Sequence, residues 1–445
     1  MGIPTVTAAR ILQGQRMGKF GEEHVLSWEE FPHVALSKTY NINFQTPDSA
    51  GTATAYLCGA KTNRGVVGQD GRAKRSDCAS SNGTDVDSIL NLAKDAGKSV
   101  GIVTTTRLTH ATPAGVYAHV PERNWECDAD IPEEEAKLGC RDIARQFVEN
   151  VDIDVALAGG RSKFLGINTR DPEHVRFGER KDGRNLIKEW IDSKPPNSTT
   201  HYVWNQAEFD QINPEETDHL LGLFQYSSMQ YESLRYNDIA GEPSISEMTE
   251  KAIRILRKNK KGFFLLVEGA RVDHAHHNGI ASLALHDTIA MADAVTKATS
   301  LTNINDTLMI VTADHSHTMT FGGYPSRGNP ILGIDDTSVG LDGVPYTTLS
   351  YANGPGGIET WAGFKAFGRR IDPGNITESI VYIQQALVPR ISESHGGEDV
   401  SIYADGPMAH LLHGVHEQNY IMHVMKYAAC LGDSTAHCNG GSFIN

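Results

Sequence analysis

Gly262-Phe-Phe-Leu-Leu-Val-Glu268 is a short apolar run that ends in a carboxylate, and Thr307-Leu-Met-Ile-Val-Thr-Ala-Asp314 repeats the pattern. Runs of this length, bounded by polar turn residues, read as buried strands. Ser99-Val-Gly-Ile-Val-Thr-Thr-Thr106 and Asp154-Val-Ala-Leu-Ala-Gly-Gly160 are two more. Helical patterns lie before or between them, over 85–96, 140–148, 246–259 and 281–300. Such alternation predicts an α/β fold: a large, mostly parallel central sheet with helices on both faces. Ligands bind such sheets at the carboxyl ends of the strands. Three of those ends carry ionisable side chains, His110, Glu268 and Asp314.

From Gly322 to Glu393 glycines and prolines are frequent and helical periodicity fades, which predicts an inserted, loop-rich subdomain over 322–393. Residues 1–321 then form the first part of the core. Residues 394–445 return to it through Val400-Ser-Ile-Tyr-Ala404 and a closing helix around Tyr420 to Cys430. The 445 residues suit about three domains, or one large α/β domain with insertions.

With 40 Lys+Arg against 55 Asp+Glu the net charge is −15, which argues against nucleic acid as a main partner. No run of about 18 apolar residues occurs, so no span of a membrane is predicted. No Walker loop or G-x-S-x-G elbow is present, which sets aside P-loop NTPases and the corresponding serine hydrolases. The six cysteines form no C-x-x-C pair. Sequons at Asn82, Asn197, Asn305 and Asn375 favour a secreted glycoprotein with disulfides, and Cys430 and Cys438 close a short polar loop. Met1-Gly-Ile-Pro leads directly into a helical pattern without a signal sequence, and no hydrophobic tail follows Cys438, so the chain reads as trimmed at both ends.

Nineteen histidines ask for a use, and metal binding is the first to test. In Val267-Glu-Gly-Ala-Arg-Val-Asp-His-Ala-His-His277, Asp273 and His277 are four apart and share one face of a helix. A carboxylate with an imidazole suits zinc better than calcium or magnesium. The competing reading is a polar loop with solvated histidines; Glu268 at the same strand end favours metal. Thr312-Ala-Asp-His-Ser-His317 sets Asp314 and His315 at a second strand end. His395-Gly-Gly-Glu-Asp399 reads alone as a glycine turn, but it offers the third ligand that Asp273 and His277 need. Two metals about 4 Å apart clamp the attacking and leaving oxygens of an in-line displacement at phosphorus. Asp48-Ser49 opens a small-residue helix whose N-terminus favours an anion, although read alone it is an ordinary cap.

These segments together resemble alkaline phosphatase of the animal, tissue-type kind. The resemblance covers essentially the whole chain and is carried by Thr5-Val-Thr-Ala-Ala-Arg-Ile11, Ala35-Leu-Ser-Lys-Thr-Tyr-Asn41, Pro47-Asp-Ser49, Thr106-Arg-Leu-Thr-His-Ala-Thr-Pro-Ala-Gly115, Arg123-Asn-Trp125, Val311-Thr-Ala-Asp-His-Ser-His317 and Leu412-His-Gly-Val415. It implies hydrolysis of phosphate monoesters through a phosphoserine on Ser49, fastest at alkaline pH. One zinc would be held by Asp273, His277 and His395, a second by Asp314 and His315, and a magnesium by Glu268 and Thr112. Arg123 would hold the phosphate, where a planar guanidinium donates two parallel hydrogen bonds. Asp48, His110, His274 and His317 would orient ligands or approach the phosphate. A calcium site would use Glu173, the Phe224 backbone, Gln225 and Glu242, with Gln225 in place of a Glu and Glu242 in place of the usual Asp.

The resemblance further pairs Cys78 with Cys140 and Cys430 with Cys438, leaves Cys58 buried and free, and gives Cys127 no counterpart, so that it reads as a free surface thiol. It implies a GPI-anchored homodimer at the cell surface, with 322–393 as the crown at the dimer interface. Ser392 stands where mammalian members carry a Glu near the magnesium. The family also has an Asp-Gly-Met-Gly segment whose Asp bridges the second zinc and the magnesium. Here Met1-Gly2 aligns with its second half, which implies loss of that Asp and reduced activity. The rival expectations are a phosphodiesterase-type member of the superfamily, against which Pro47-Asp-Ser-Ala50 argues, and a catalytically silent surface-binding glycoprotein.

Overall fold

The computed structural model describes residues 1–432 and 435–438. Its main sheet is wholly parallel and runs β4-β5-β3-β2-β6, with β2 at Ser99–Arg107, β3 at Val155–Gly159, β4 at Thr200–Val203, β5 at His219–Leu223 and β6 at Phe263–Glu268. β3 and β5 are buried at every position, as a parallel sheet covered on both faces requires. A second sheet runs β14-β1-β13-β7, with β1 at His33–Lys38, β7 at Met309–Thr312, β13 at Val400–Asp405 and β14 at Gly414–Glu417. Here β1 is parallel to β14, but β13 is antiparallel to both β1 and β7. The fold is therefore α/β with a parallel centre, and its second sheet is mixed. The β6 and β7 edges face a cleft of about 950 Å³, whose lining reaches Ser49, Glu268 and Asp314.

Helices cover the sheets because their apolar stripes are wide enough to do so. The helix Ile245–Leu256 starts in a reciprocal cap, in which Ser244 accepts from the Glu247 amide and Glu247 accepts from the Ser244 amide. It buries Met248, Ala252, Ile255 and Leu256 in a cluster with Val103, Val155 and Leu157, at about 2 kcal/mol for each large side chain removed from water. The helix Ala281–Leu301 packs against it and against the helix Ile3–Arg16.

The stretch 322–393 is not merely loops. β9 (Met319–Phe321), β10 (Leu349–Gly354) and β11 (Ala386–Pro389) form a three-stranded sheet, and a helix spans Gly356–Phe367. That helix buries only Gly356, Gly357 and Gly363, so no apolar stripe announces it. The remaining strands, β8 (Ser316–His317) and β12 (His395–Gly396), pair antiparallel and set His317 opposite His395. That pairing brings the far side of the insertion back to the site.

Candidate active site and metal centre

Ser49 opens the helix Ser49–Cys58, and Asp48 caps it by accepting from the Ala50 and Gly51 amides. The Asp48 amide in turn donates to Asn41 Oδ1 at 2.9 Å. Gly51 is required by this approach, since a Cβ there would stand 2.2 Å from Asn41 Nδ2. Gly59, at φ 76°, ends the helix in the left-handed region. Asp48 also accepts from the Gly65 amide at 2.9 Å and from Arg123 Nη1 at 3.1 Å. Burial alone would raise the Asp48 carboxyl, but the guanidinium and these amides hold it below its ordinary range. The other arm of Arg123, Nη2, lies 3.1 Å from His110 Nε2. Burial, reinforced by Arg123, drives His110 well below its usual value, so its neutral ring accepts that bond.

At the end of β6, the helix Arg271–His277 carries Asp273 and His277 on one face. His277 Nδ1 contacts the Glu393 carbonyl at 2.6 Å, and His395 Nδ1 contacts the Pro47 carbonyl at 2.8 Å. Each imidazole therefore donates from Nδ1 and, when neutral, presents a lone pair at Nε2. The two Nε2 atoms stand 3.1 Å apart, and they lie 3.5 and 3.3 Å from Asp273 Oδ1. Those separations bracket the edge, roughly 3.3 Å, of a tetrahedron whose ligands lie about 2.0 Å from a central zinc. Three acceptors converge with no donor among them, and the donor set fits that ion.

A second convergence adjoins the first. His315 Nε2 lies 3.0 Å from Asp314 Oδ2 and 3.0 Å from Ser49 Oγ, and its ring stacks on His395 with centroids 3.5 Å apart. Burial lowers His315 to about 4, while the His315 imidazole holds Asp314 below its ordinary range against the cost of burial. The nucleophile candidate thus sits beside the second metal pair.

Glu268 is half-buried at the end of β6, lining the cleft, and accepts from Thr104 Oγ1 at 2.5 Å. Desolvation pushes it up to about 7; the Thr104 and Thr112 hydroxyls oppose the rise, and Asp314 and Asp273 add to it. A carboxylate among carboxylates in such a place fits a hard cation with oxygen ligands, as magnesium is.

His317 Nε2 contacts Asp273 at 2.8 Å and its Nδ1 contacts Glu393 at 2.7 Å. Burial disfavours its charge, but the two carboxylates override that and push it up to about 9. His274 contacts Arg271 Nη1 at 2.9 Å and packs edge-on to His110. Sequence reading passed over Asn41, Thr104 and Glu393, which no strand end or helical spacing marks.

The residues expected to hold calcium gather around Asp238, which was also missed. Gln225 Nε2 donates to Asp238 Oδ1 at 2.8 Å, and burial together with Glu173 raises Asp238 to about 6. Glu242 accepts from the Gln230 amide, and burial raises it to about 8. Asp238 Oδ2 and Glu242 Oε2 are buried without a hydrogen-bond partner among the described residues. Glu173 is also engaged by Arg161 at 2.6 Å. The Phe224 side chain lies in the core against Phe209.

Both expected disulfides form, Cys78–Cys140 and Cys430–Cys438, and Cys58 is buried and free. Cys127 is not a surface thiol: it is fully buried beside Asp130 and Lys163, and burial raises it to about 12. Asn82, Asn197, Asn305 and Asn375 are all exposed. Ser392 is exposed; its hydroxyl donates to the Glu393 carbonyl at 3.3 Å, and its own carbonyl accepts from Arg390 Nε at 3.3 Å.

A family model described as alkaline phosphatase matches residues 1–431. An alkaline phosphatase of Gadus morhua is 51% identical over 441 residues, covering 98% of this chain and 90% of that protein. A tissue-nonspecific isozyme of Rattus norvegicus is 52% identical over 443 residues, covering 98% and 83%. Among solved structures, the alkaline phosphatase of the Antarctic bacterium TAB5 is 20% identical with a TM-score of 0.64, covering 97% of this chain and 95% of that one. That of Thermus thermophilus is 22% identical with a TM-score of 0.66, covering 96% and 89%. At those identities the structures bear on the fold alone.

Proposed function

This chain belongs to the alkaline phosphatase family, metal-dependent hydrolases of phosphate monoesters, and on that premise we propose that Ser49 is its nucleophile and that zinc and magnesium are its cofactors. Asp273, His277 and His395 hold one zinc, Asp314 and His315 a second, and Glu268 and Thr112 a magnesium. The observation that carries this reading is the meeting of the His277 and His395 Nε2 atoms on Asp273 with no proton donor among them. Bound there, the metals supply Lewis acidity, acidifying the attacking hydroxyl and water and screening phosphoryl charge.

The chain's own residues do the rest. Arg123, clamped by Asp48 and His110, presents its guanidinium to the phosphoryl oxygens. Ser49 Oγ, at the helix N-terminus, forms the bond to phosphorus as the alcohol leaves. His315 Nε2, 3.0 Å from Ser49 Oγ, is the nitrogen assigned to the second zinc, so the hydroxyl proton passes to solvent rather than to that ring. Water then attacks the phosphoserine, returning Ser49 and releasing phosphate.

Calcium held near Glu173, Gln225 and Glu242, with the Phe224 carbonyl, is supported by the unpartnered oxygens of Asp238 and Glu242. We assign 322–393 as a crown-like subdomain within a core made of 1–321 and 394–445. A homodimer through that subdomain is supported by exposed Trp361, Phe364, Phe367, Leu387 and Ile391. A glycosylated protein outside the cytosol is supported by the exposed sequons and the disulfides, and a lipid anchor at the cell surface is proposed from the family resemblance alone. No helix among the described residues is long and apolar enough to cross a membrane.

The test is turnover of p-nitrophenyl phosphate by the purified chain, with and without added zinc and magnesium, beside bis-p-nitrophenyl phosphate. Metal-dependent cleavage of the monoester is expected. Preference for the diester favours the phosphodiesterase reading, and full metal occupancy without turnover favours the silent-binding one. Light scattering of the same sample tests the dimer.

A further inference from the structure

We propose that Glu393 is a positioning residue for one metal centre: its carboxylate holds His317 against Asp273 while its main chain holds His277. This rests on the assignment of Asp273, His277 and His395 to zinc.

The residue is placed by five polar contacts that converge on it from His317–Thr318 and from His277. Its Oε2 meets His317 Nδ1 at 2.7 Å, and its Oε1 accepts from the Thr318 amide and hydroxyl at 2.6 and 2.7 Å. Its carbonyl meets His277 Nδ1 at 2.6 Å, and its amide donates to the His277 carbonyl at 2.9 Å. Ile391 and Ser392 just before it are exposed, yet the Glu393 side chain is wholly buried. Gly354 makes room for it, since a Cβ at that glycine would approach the Glu393 Cβ to 3.1 Å.

A carboxylate taken out of water in this way is costly unless it is fully bonded to donors. Glutamine or an apolar side chain would fill the same space at lower cost, so the charge needs a use. Among the described residues the ring its side chain hydrogen-bonds is His317, with His277 Nδ1 farther off at 3.8 Å, and the other nitrogen of His317 is spent on Asp273 Oδ1 at 2.8 Å. His276 stacks on His317 and is itself pinned by Tyr351 Oη at 2.8 Å, so the ring cannot swing away. Asp273 is thus aimed from behind, along a line Glu393–His317–Asp273. Outer partners of this kind fix ligand orientation and basicity. The same residue therefore orients two ligands of one centre and makes no contact with Asp314 or His315 among the described residues.

The full chain is compared with Glu393→Gln and Glu393→Ala. Glutamine can still accept from the Thr318 amide and donate to His317 Nδ1, which leaves His317 Nε2–H on Asp273 without the charge. Zinc is titrated against a chromophoric chelator, cobalt-substituted protein gives the visible spectrum of the centre, and kcat and KM are measured on a phosphate monoester. The expected result is that one of the two zinc ions binds about 10-fold weaker in the Gln variant and roughly 100-fold weaker in the Ala variant. The cobalt spectrum changes, and kcat falls while KM stays near the parent value, because Arg123 is untouched. Equal zinc affinity and an unchanged cobalt spectrum in the Gln variant overturn the inference, whether or not the Ala variant folds. A parent protein that binds no zinc overturns the site assignment instead, and the two failures are told apart by that one measurement.

Discussion

His277 Nε2 and His395 Nε2 stand 3.1 Å apart, and the opposite nitrogen of each ring is tied to a main-chain carbonyl. Neither ring can turn its N–H inward without abandoning that carbonyl. Both lone pairs therefore stay turned toward Asp273, where a divalent cation would meet them. His277→Ala and His395→Ala are each expected to weaken the binding of one zinc ion by at least about 100-fold. Titration against a chromophoric chelator measures it, and unchanged zinc affinity in either variant would remove that ring from the centre.

Ser49→Ala is expected to lower kcat by at least about 10³-fold with little loss of stability. The helix start survives because Asp48, not Ser49, caps it. Acid-quenched parent enzyme with saturating monoester should carry phosphate on Ser49, seen by peptide mass spectrometry. A variant that retains ordinary turnover would remove Ser49 from the mechanism.

Arg123→Ala is expected to act on substrate binding. The guanidinium is held at both ends, by Asp48 and by His110, so it is aimed before substrate arrives. Loss of a charge-assisted, two-pronged contact is worth about 2 kcal/mol, or roughly 30-fold in KM and in the inhibition constant of free phosphate. Arg123→Lys should recover little, since an ammonium cannot bridge both partners. Steady-state kinetics with phosphate inhibition decides it; an unchanged phosphate inhibition constant would count against the role.

What could be read in advance divides by range. The Asp273–His277 spacing, the carboxylate that ends β6 and the Asp314–His315 pair are local signals, written within a few residues of one another. Glu393 carries no such signal, because its partner His317 lies 76 residues away and is reached only when β8 and β12 pair. The helix Gly356–Phe367 was hidden because its buried face is three glycines, which weaken helical propensity and leave no apolar period. Cys127 read as a surface thiol because the family resemblance gave it no counterpart, yet it is fully buried, with Lys163 bonding Asp130 beside it at 2.9 Å. Strand direction in the mixed sheet was equally invisible: alternation in β13 reports a half-buried strand, not which way it runs.

Asp287 gives the pH dependence its sign. It is buried in the helix Ala281–Leu301, where its Oδ2 accepts the Glu232 amide at 3.2 Å. Burial raises its carboxyl to about 8, against the opposing attraction of Arg271. Its pKa in the unfolded chain is about 3.9. A carboxyl raised on folding contributes stability that is fully present below the unfolded value and is lost progressively as pH climbs to the folded value. The window is therefore from about pH 4 to about pH 8. Asp287→Asn keeps an oxygen for the Glu232 amide and does not ionise, so its stability should not fall across that window for this reason. The variant is thus expected to gain on the parent as pH rises, by an amount on the order of a few kcal/mol at pH 9 relative to pH 4. Thermal unfolding of both proteins at pH 5, 7 and 9 reads this as a widening gap in Tm. A gap that is constant with pH, or that narrows toward pH 9, would show that Asp287 is ionised throughout and paired with Arg271.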